Sequence, residues 1–287
     1  MPELPEVENI RLSLADQITG LSVSAVQIIR PDVLNIDHIP STSPQSLLQR
    51  TTITNLIRHG KQLALVFQST NNISPILCVG LGMTGQLRIH TPSRSSLPNH
   101  THFVLDLVTS QDKKPTTKLI FRDPRRFGGL WLFQSHEDLL SSRWSSLGPD
   151  ALAITPKDLH DRLSRTRRTI KAALLDQNLV AGLGNIYVDE LLHRSGIHPE
   201  YSAGQLTRKQ IQTLVPKMRR LLRNAIQSGG STLRDYVNGV GDLGGYQNNH
   251  KVYGRSGQPC TTCDHELEGL ILAGRSTVFC PSCQPAG

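Results

Sequence analysis

The sequence predicts an α+β fold in which an N-terminal antiparallel β-sandwich, flanked by helices, is followed by a helical domain and a zinc ribbon. In the first half of the chain, short apolar runs alternate with clusters of Pro, Gly, Ser and Asn, a pattern typical of an antiparallel sandwich or barrel. After Gly148-Pro149-Asp150 the apolar spacing becomes helical. The C-terminal end carries two Cys-x-x-Cys pairs. These observations place the strands first and the helices second.

The first predicted element is an amphipathic helix over residues 5–18. Its apolar residues recur at helical spacing, and Gly20 is expected to end it. Such a helix would hold the N-terminus against a core. Strands are predicted at Ser22–Ile29, Thr52–Ile57, Gln62–Gln68, Ile76–Val79, Gln86–His90, Phe103–Val108, Lys118–Arg122 and Gly129–Phe133.

Helices are predicted throughout the second half. Thr155-Pro156-Lys157-Asp158 offers an N-cap threonine, a proline at the first helical position and an acid at the third. A further helix opens at Asn185. Segments Leu206–Ser228 and Thr232–Val237, with two glycines between them, are expected to complete a small helical domain.

The charge of the chain indicates a polyanionic partner. The 287 residues carry a net charge of +8, and the pI is about 9.5. Residues 1–150 contain 14 Lys and Arg against 12 Asp and Glu, whereas residues 151–287 contain 17 against 11. The excess positive charge therefore lies in the second half. No apolar run approaches the roughly 20 residues of a membrane span, and the acidic N-terminus does not resemble a signal peptide, so we expect a cytoplasmic protein without a membrane partner.

The cysteine spacing predicts a structural zinc ion. Cys260 and Cys263 are separated from Cys280 and Cys283 by sixteen residues, as in a four-thiolate zinc ribbon. Two disulfides are the alternative, which an intracellular location disfavours. The fifth cysteine, Cys78, lies in an apolar run and is interpreted as a core residue.

The N-terminal residues Pro2, Glu3 and Glu6 suggest covalent chemistry. If Met1 is removed, Pro2 presents a secondary amine, and an α-amine has a pKa of only about 7.7–8.0. Attack by such an amine on a sugar C1′ would give a cationic iminium, and nearby carboxylates could move the protons. The alternative is a plain helix start with an acidic first turn, which the helix dipole favours.

Three loops between strands carry candidate DNA contacts. Lys61 lies at a strand junction, where it could reach a phosphate or simply be solvated. Met83 stands between glycines and could be core filler or a wedge between bases. The stretch 123–129 holds Arg125, Arg126 and Phe127 on a loop bounded by Pro and Gly. It suits phosphate, base-edge and stacking contacts, or is a surface turn with the phenyl ring folded inward.

The second half adds its own candidates. Glycines before Asn185 leave backbone N–H groups free at a helix start, which suits an anion, although such glycines more often serve tight packing. Lys171 belongs to a run of five basic residues over positions 162–171. Arg275 lies near the tip of a hairpin predicted between the cysteine pairs, where it could clamp a phosphate.

Taken in order, six motifs resemble one family, the formamidopyrimidine-DNA glycosylases, over essentially the whole chain. They are Pro2–Glu8, Gly82–Gly85, Asp123–Gly128, Gly182–Tyr187, Tyr253–Arg255 and the zinc ribbon. The resemblance implies a β-sandwich domain over 1–148, a helix–two-turns–helix DNA-binding domain over 149–250 and a zinc finger over 251–287. It also implies a monomeric base excision repair enzyme, nucleoid-associated if bacterial, that acts on oxidised bases in double-stranded DNA.

The resemblance also implies roles for individual residues. Pro2 is similar to the family's nucleophile, Glu3 to its general acid/base and Glu6 to its structural and proton-handling partner. Phosphate contacts are implied for Lys61, Arg126, Asn185, Tyr253 and Arg275. Met83, Arg125 and Phe127 resemble the trio that fills the gap left by a flipped nucleotide, with Arg125 facing the orphaned cytosine. Lys171 matches a lysine implicated in recognising the damaged base.

One departure from the family pattern concerns Gly80. Many relatives have a histidine there, three residues before the wedge methionine, where it assists phosphate binding; one phosphate contact fewer is therefore expected. The motif Leu4-Pro5-Glu6-Val7 and Phe127 favour excision of oxidised purines over the oxidised pyrimidines of the endonuclease VIII branch. A damaged-DNA binding protein without catalysis is the third hypothesis. A retained Met1 would block the Pro2 nitrogen.

Overall fold

The structure is a computed structural model that describes residues 2–36, 43–69, 73–91, 96–109, 111, 115 and 117–286. Its helices are α1 Leu4–Ile18, α2 Pro44–Leu48, α3 His136–Ser141, α4 Pro156–Leu163, α5 Ile170–Leu175, α6 Asn185–Ser195 and α7 Arg208–Gln227. Its strands are β1 Ser22–Ile28, β2 Leu34–Asn35, β3 Thr52–His59, β4 Gln62–Gln68, β5 Ile76–Gly80, β6 Gln86–His90, β7 Thr101–Val108, β8 Thr117–Arg122, β9 Gly129–Phe133, β10 Glu268–Leu272 and β11 Arg275–Phe279. The α+β prediction is confirmed.

Two compact units make up the chain. The first contains Met1–Ser146 together with Gly229–Gly245, and the second contains Leu147–Ser228 together with Tyr246–Gly287. The first unit holds the large sheet, and the second holds helices α4 to α7 and the cysteine hairpin. The predicted division into three domains, with the zinc finger as a domain of its own, stays a prediction.

The sheet of the first unit has two halves that meet at one point. Strands β2-β9-β5-β4-β3 form one half and β1-β7-β8-β6 the other, and the register between β1 and β3 consists of the single pair Ser22 and Thr52. Pairing is antiparallel except between β2 and β9. One buried apolar cluster takes side chains from both halves, including Leu65, Leu77 and Phe103, which is the arrangement of a sandwich.

Helix α1 packs on this cluster through the face that the sequence predicts. Val7, Ile10, Leu14 and Ile18 are all buried, and they lie on one side of the helix. Gly20 follows with a φ of +86°, a conformation that glycine adopts without strain. The helix therefore fixes the position of the N-terminal residues that precede it.

In the second unit, side-chain caps define the helix starts. Thr155, Thr169 and Thr207 each accept a hydrogen bond from a backbone N–H at the third helical residue of α4, α5 and α7. Helix α6 begins after Gly184 and ends at Gly196, whose φ of +67° forms a left-handed C-cap. Among the described residues, no helix is both long and apolar enough to cross a membrane.

The helix predicted over Thr232–Val237 is absent, and the prediction is wrong. The segment belongs to the first unit and runs as bends and extended chain. A run of this length cannot hold a helix without tertiary support, because helix nucleation is costly. The Thr232 hydroxyl instead forms hydrogen bonds outside any helix. It donates to the Tyr236 carbonyl at 3.1 Å and accepts from the Gly244 N–H at 2.8 Å.

Candidate active site and nucleic-acid interface

The N-terminal segment is buried together with its two carboxylates. Pro2 is buried, and Glu3 and Glu6 are only 2% and 1% exposed. The two acids form a reciprocal capping box, in which the Glu3 N–H donates to Glu6 Oε2 at 2.9 Å and the Glu3 side chain accepts from the Glu6 N–H. An acidic first turn on a solvated helix would leave these side chains in water. Their burial favours the catalytic hypothesis.

Glu6 is held by a segment far away in the chain. Its Oε1 accepts a hydrogen bond of 2.7 Å from the backbone N–H of Ser231. The neighbouring Tyr236 hydroxyl donates to the Gly229 carbonyl at 3.1 Å, and burial, with the Glu6 charge nearby, raises the pKa of this phenol above its usual value. Gly230 passes so close that an added Cβ would lie 3.0 Å from Glu6 Oε1. The segment 229–236 thus holds Glu6 Oε1, while Oε2 is held by the Glu3 N–H.

Lys61 lies in the turn between β3 and β4, which is tied to helix α1. Glu8 of α1 accepts from Arg58 Nε at 2.9 Å and from Arg11 Nη2 at 2.6 Å. Arg58 in turn donates to the Gly60 carbonyl at 2.9 Å, immediately before Lys61. Burial alone would raise the pKa of Glu8, but hydrogen bonds from the two guanidinium groups outweigh it and lower the pKa. Glu8 therefore couples the N-terminal helix to the lysine turn.

Sheet register brings three predicted site segments to one end of the sheet. Gln62 at the start of β4 pairs with Gly80 at the end of β5, and Gly80 pairs with Gly129 at the start of β9. We call this row the Gly80 end of the sheet. Lys61 directly precedes β4 at this end, and the Gly82–Gly85 turn follows the last residue of β5. The Asp123–Gly128 loop leads into the first residue of β9. Segments more than 60 residues apart in the sequence are therefore neighbours.

A buried aspartate joins two of these segments. Asp123 has no solvent exposure, and its Oδ1 accepts from the Thr84 hydroxyl at 2.5 Å and the Arg125 N–H at 3.3 Å. Its Oδ2 accepts from the Gly128 N–H at 2.8 Å. The hydrogen bond from Thr84 holds the loop against the Gly82–Gly85 turn, which contains Met83 and is called the Met83 turn. The other two hydrogen bonds close the loop on itself.

Close backbone packing completes the junction. Gly82 has a φ of +57°, and an added Cβ would lie 2.4 Å from the carbonyl carbon of Phe127. A Cβ on Gly128 would lie 2.5 Å from the Gly80 oxygen. Only glycine permits this approach. The sequence signal for the junction was therefore the glycines that flank both motifs.

The junction exposes the residues that sequence reasoning expects to touch DNA. Met83 is 39% and Phe127 is 58% exposed, although large apolar side chains are normally buried. The guanidinium of Arg125 stacks over the Phe127 ring, with its Cζ 4.6 Å from the ring centroid. Arg126 forms an exposed ion pair with Asp32, with 3.3 Å between Arg126 Nη1 and Asp32 Oδ2. Phe127 is not folded inward, so the simple surface-turn interpretation does not hold.

In the second unit, Lys171 lies in a buried ion pair. It is fully buried on α5, and its Nζ lies 2.6 Å from Asp189 Oδ1 and 3.1 Å from the Ser276 carbonyl oxygen. Burial raises the pKa of Asp189 to about 6, although the Lys171 ammonium opposes this shift. A contact between Lys171 and a base would require this pair to open.

Asn185 binds the same backbone carbonyl as Lys171, that of Ser276. Its Nδ2 donates to the Ser276 carbonyl at 2.8 Å, while its Oδ1 is buried with no hydrogen-bond partner among the described residues. Strand β11 is thus tied to α5 and α6 at one carbonyl. Arg275, the residue before Ser276, is exposed beside a tight turn formed by Ala273 and Gly274 with φ values of +51° and +68°.

Tyr253 is positioned through Glu190. This carboxylate has no exposure, and its Oε1 accepts from the N–H groups of Val252 at 2.9 Å and Tyr253 at 3.0 Å. Burial by itself raises the pKa of Glu190, but the Arg194 charge and the backbone donors lower it overall. The Tyr253 ring meets His250 edge to face at 5.7 Å. Neither Asp189 nor Glu190 was found by sequence reasoning, since both lie inside an ordinary helical pattern.

The four C-terminal cysteines fit one zinc ion. Their sulfur atoms all lie within 4.8 Å of one another, and all are free thiols. Cys263 Sγ is 3.4 Å from the sulfurs of both Cys280 and Cys283, and Cys260 Sγ is 3.9 Å from that of Cys283. A zinc tetrahedron with bonds of about 2.3 Å has sulfur separations of about 3.8 Å. Four thiolates leave no open ligand position, so the ion is structural.

Comparison with known families covers the chain in three parts. Residues 1–130 match the formamidopyrimidine-DNA glycosylase N-terminal domain, and residues 147–237 match the formamidopyrimidine-DNA glycosylase H2TH domain. Residues 257–286 match a zinc finger found in these glycosylases and in isoleucyl-tRNA synthetase. The last match agrees with the cysteine geometry and supports one structural zinc ion.

Relatives match over the full length. The formamidopyrimidine-DNA glycosylase of Bacillus cereus is 39% identical over 287 residues, and that of Bacillus subtilis is 38% identical over 286, each match covering 99% of both chains. A point mutant of the Lactococcus lactis Fpg protein solved with Fapy-dG containing DNA, and Lactococcus lactis Fpg solved with abasic-site DNA, superpose with TM-scores of 0.86 at 32% identity. They cover 99% of this chain and 100% of theirs.

Fold, zinc site and relatives together define a DNA glycosylase of base excision repair. The chain belongs to the formamidopyrimidine-DNA glycosylase family.

Proposed function

We propose that the protein is a bifunctional DNA glycosylase and abasic-site lyase that removes oxidised purines, such as 8-oxoguanine and formamidopyrimidines, from double-stranded DNA. The observation that carries this proposal is the burial of Glu3 and Glu6 beside Pro2. A binding module has no use for two desolvated carboxylates next to a proline amine, because burying charge without a function is costly.

The reaction begins at the Pro2 nitrogen, once Met1, which lies outside the described residues, has been removed. The amine lone pair forms a bond to the sugar C1′ while the glycosidic bond breaks, and the base leaves with a proton from a neighbouring acid. Glu3 is suited to this proton transfer, since it adjoins Pro2 and is buried. Glu6 is held by Ser231 and orients the segment.

The lyase steps follow from the iminium. The C1′–O4′ bond then breaks, and O4′ takes its electron pair and the proton released from the Pro2 nitrogen. The resulting C1′=N⁺ group acidifies the hydrogen on C2′. A carboxylate, a role we assign to Glu3, removes that proton, and the electron pair expels the 3′ phosphate. A second elimination expels the 5′ phosphate, and water releases the sugar fragment from Pro2. The products are a one-nucleotide gap with a phosphate at each end.

The DNA contacts are proposed from two sets of residues. In the first unit, Met83, Arg125 and Phe127 suit the gap left by an extruded nucleotide, because the large apolar side chains of Met83 and Phe127 are otherwise unfavourable in water and Arg125 stacks on the Phe127 ring. Lys61 and Arg126 suit the backbone phosphates. In the second unit Asn185, Tyr253 and Arg275 are proposed phosphate contacts, and Lys171 a contact to the damaged base.

Support for purine lesions comes from the relatives. The curated relatives are named for formamidopyrimidines, and solved neighbours hold Fapy-dG or abasic-site DNA. The protein is proposed to act as a monomer. Its zinc ion stabilises the hairpin that carries Arg275 and takes no part in the chemistry.

A lesion panel tests the proposal. Single-turnover cleavage is measured on duplexes with 8-oxoguanine, a formamidopyrimidine, an oxidised pyrimidine or a plain abasic site, and product ends are resolved on a gel. The variants are Pro2→Gly, Glu3→Gln and, as a matched control, Glu137→Gln, an exposed acid in the first turn of α3. We expect wild type to excise purine lesions fast and to leave β,δ-elimination products. Pro2→Gly should lose most of this cleavage, Glu3→Gln should be strongly slowed, and the control should match wild type.

Other results would overturn parts of the proposal. Cleavage confined to the oxidised pyrimidine would assign the protein to the endonuclease VIII type of activity. Binding to all lesion duplexes without any cleavage, by protein shown to begin at Pro2, would indicate a damage-binding protein. Unchanged cleavage by Pro2→Gly would refute the nucleophile.

A further inference from the structure

A cation that sequence reasoning did not single out lies beside the Gly80 end of the sheet. Arg143 follows α3 in the first unit, and its Cζ lies 3.1 Å from the ring centroid of Trp131. An ideal Cβ built on Gly80 would meet both groups, at 3.1 Å from Trp131 Cζ3 and 3.4 Å from Arg143 Nη2. The stacked pair therefore occupies the space that a side chain at position 80 would need.

The position of Arg143 is held by its stacking on Trp131 and by the contacts of the residue that follows it. The next residue, Trp144, is nearly buried, donates from Nε1 to Gln62 Oε1 at 3.0 Å and stacks with His59 at 5.5 Å. Gln62 directly follows Lys61 and is the register partner of Gly80. Arg143 thus belongs to the same end of the sheet as the lysine turn and the Met83 turn.

Arg143 has no acidic partner in the part of the chain that the structure describes. None of its contacts is to a carboxylate, and its Nε is buried without a hydrogen-bond partner. Burial lowers the pKa of this guanidinium. The thiol of Cys78 lies nearby, but burial raises its pKa to about 11, so it is neutral at pH 7 and does not balance the charge.

A half-buried guanidinium without a counter-ion is energetically unfavourable, and a bound anion would neutralise its charge and accept its hydrogen bonds. Stacking on an indole ring recovers part of the desolvation cost and orients the planar fork, but it supplies no negative charge. DNA brings phosphate anions to the surface that binds it, and a guanidinium binds a phosphate through two N–H donors.

We propose that Arg143, oriented by stacking on Trp131, contacts a DNA backbone phosphate next to the phosphate bound by Lys61. The inference rests on the proposed DNA-directed function. It also revises the expectation drawn from Gly80: the phosphate contact that a side chain at position 80 would make is supplied instead by the residue that fills its place. A side chain at position 80 would press on the stack, because even its Cβ would lie 3.1 Å from Trp131 Cζ3.

The test measures binding to a duplex with a central tetrahydrofuran, an abasic analogue that cannot be cleaved through C1′ chemistry. Fluorescence anisotropy is recorded over a series of salt concentrations for wild type, Arg143→Gln and Arg143→Lys. The control is Arg50→Gln, which removes the same charge from an exposed residue before β3, at the opposite end of that strand from Lys61. Melting of each variant, followed by tryptophan fluorescence, reports whether the first unit stays folded.

Loss of one phosphate contact has a defined signature. Arg143→Gln should weaken binding by on the order of tenfold and reduce the slope of log K against log salt by about one. Arg143→Lys should keep the slope, because it keeps the charge, while Arg50→Gln should match wild type in both quantities.

Two other outcomes would overturn the inference, each for a different reason. An unchanged slope in Arg143→Gln, with or without a lowered melting temperature, would show that the arginine serves packing alone and would leave the proposed function intact. Failure of wild type itself to bind the duplex would remove the proposed function, and this inference with it.

Discussion

Asp123 offers the sharpest test of how the DNA-facing loop is built. Replacing it with alanine removes three hydrogen bonds to a fully buried carboxylate, from Thr84, Arg125 and Gly128. The contacts from Thr84 at 2.5 Å and Gly128 at 2.8 Å are short, and the one from Arg125 at 3.3 Å is weak. Hydrogen bonds to charged groups contribute about 1.5–3 kcal/mol each. We expect Asp123→Ala to lower the free energy of unfolding by about 3–5 kcal/mol.

The assay exploits the position of the tryptophans. Both tryptophans of the chain, Trp131 and Trp144, belong to the first unit, so their fluorescence follows unfolding of the unit that holds Asp123. A loss of 3–5 kcal/mol corresponds to a melting temperature lower by roughly 6–20 °C for a domain of this size. Binding to a tetrahydrofuran duplex should weaken as well, because Arg125 and Phe127 lose their support.

Two further variants, expected to lose less stability than Asp123→Ala, serve for comparison. Thr84→Val removes the hydroxyl but leaves the Gly128 hydrogen bond, and should cost about 1–2 kcal/mol. Asp32→Ala removes an exposed carboxylate paired with Arg126, and its melting temperature should stay close to that of wild type. If Asp123→Ala were no less stable than Asp32→Ala, the argument that a buried carboxylate holds the loop would be wrong.

Three further predictions concern other parts of the chain. Gly82→Ala should be less stable than Gly20→Ala in thermal melts, because both glycines have positive φ but only at Gly82 would a Cβ clash, at 2.4 Å; equal losses would contradict the packing account. The pKa of Glu8 is lowered from its usual 4.5, so its stabilising effect is present above that pH and is lost as pH falls through the lower folded value. The melting difference between wild type and Glu8→Gln should therefore be largest near neutral pH and vanish in acid, whereas a constant difference would exclude the ionic contribution. Wild type should contain one zinc per chain by metal analysis and Cys280→Ser much less; full zinc in the variant would contradict the four-thiolate site.

Much of the fold is legible in the sequence because local signals agree with the tertiary structure. The strands predicted at Gln62–Gln68, Gln86–His90 and Gly129–Phe133 have the observed bounds, since turn residues delimit each apolar run. The cap at Thr155 lies where the sequence predicts it. Helices α2 and α3 were missed, because each spans hardly more than one turn and carries little periodicity.

The failure at Thr232–Val237 has a different cause. Its residues suit a helix locally, but Glu6 and Gly244, distant in sequence, bind the polar groups at its start. Tertiary hydrogen bonds of this kind leave no trace in the pattern of a single segment.

The candidate site shows the same division. Pro2, Glu3 and the four cysteines stand out by chemistry and spacing alone. The supporting residues Asp123 and Ser231 do not, because their partners lie 39 and 225 positions away. In the structure, the register at Gln62, Gly80 and Gly129 and the hydrogen bond from Thr84 to Asp123 bring the separate loops together.

The central claim is that the Pro2 nitrogen performs the chemistry, and borohydride trapping tests it most directly. The protein, with its N-terminus verified by mass spectrometry, is incubated with a duplex containing 8-oxoguanine opposite cytosine, reduced, digested and mapped. We expect a covalent sugar adduct on the N-terminal peptide at Pro2, absent from Pro2→Gly. An adduct on a lysine, such as Lys61, or no adduct with any lesion or abasic duplex from protein that begins at Pro2, would contradict the proposed mechanism.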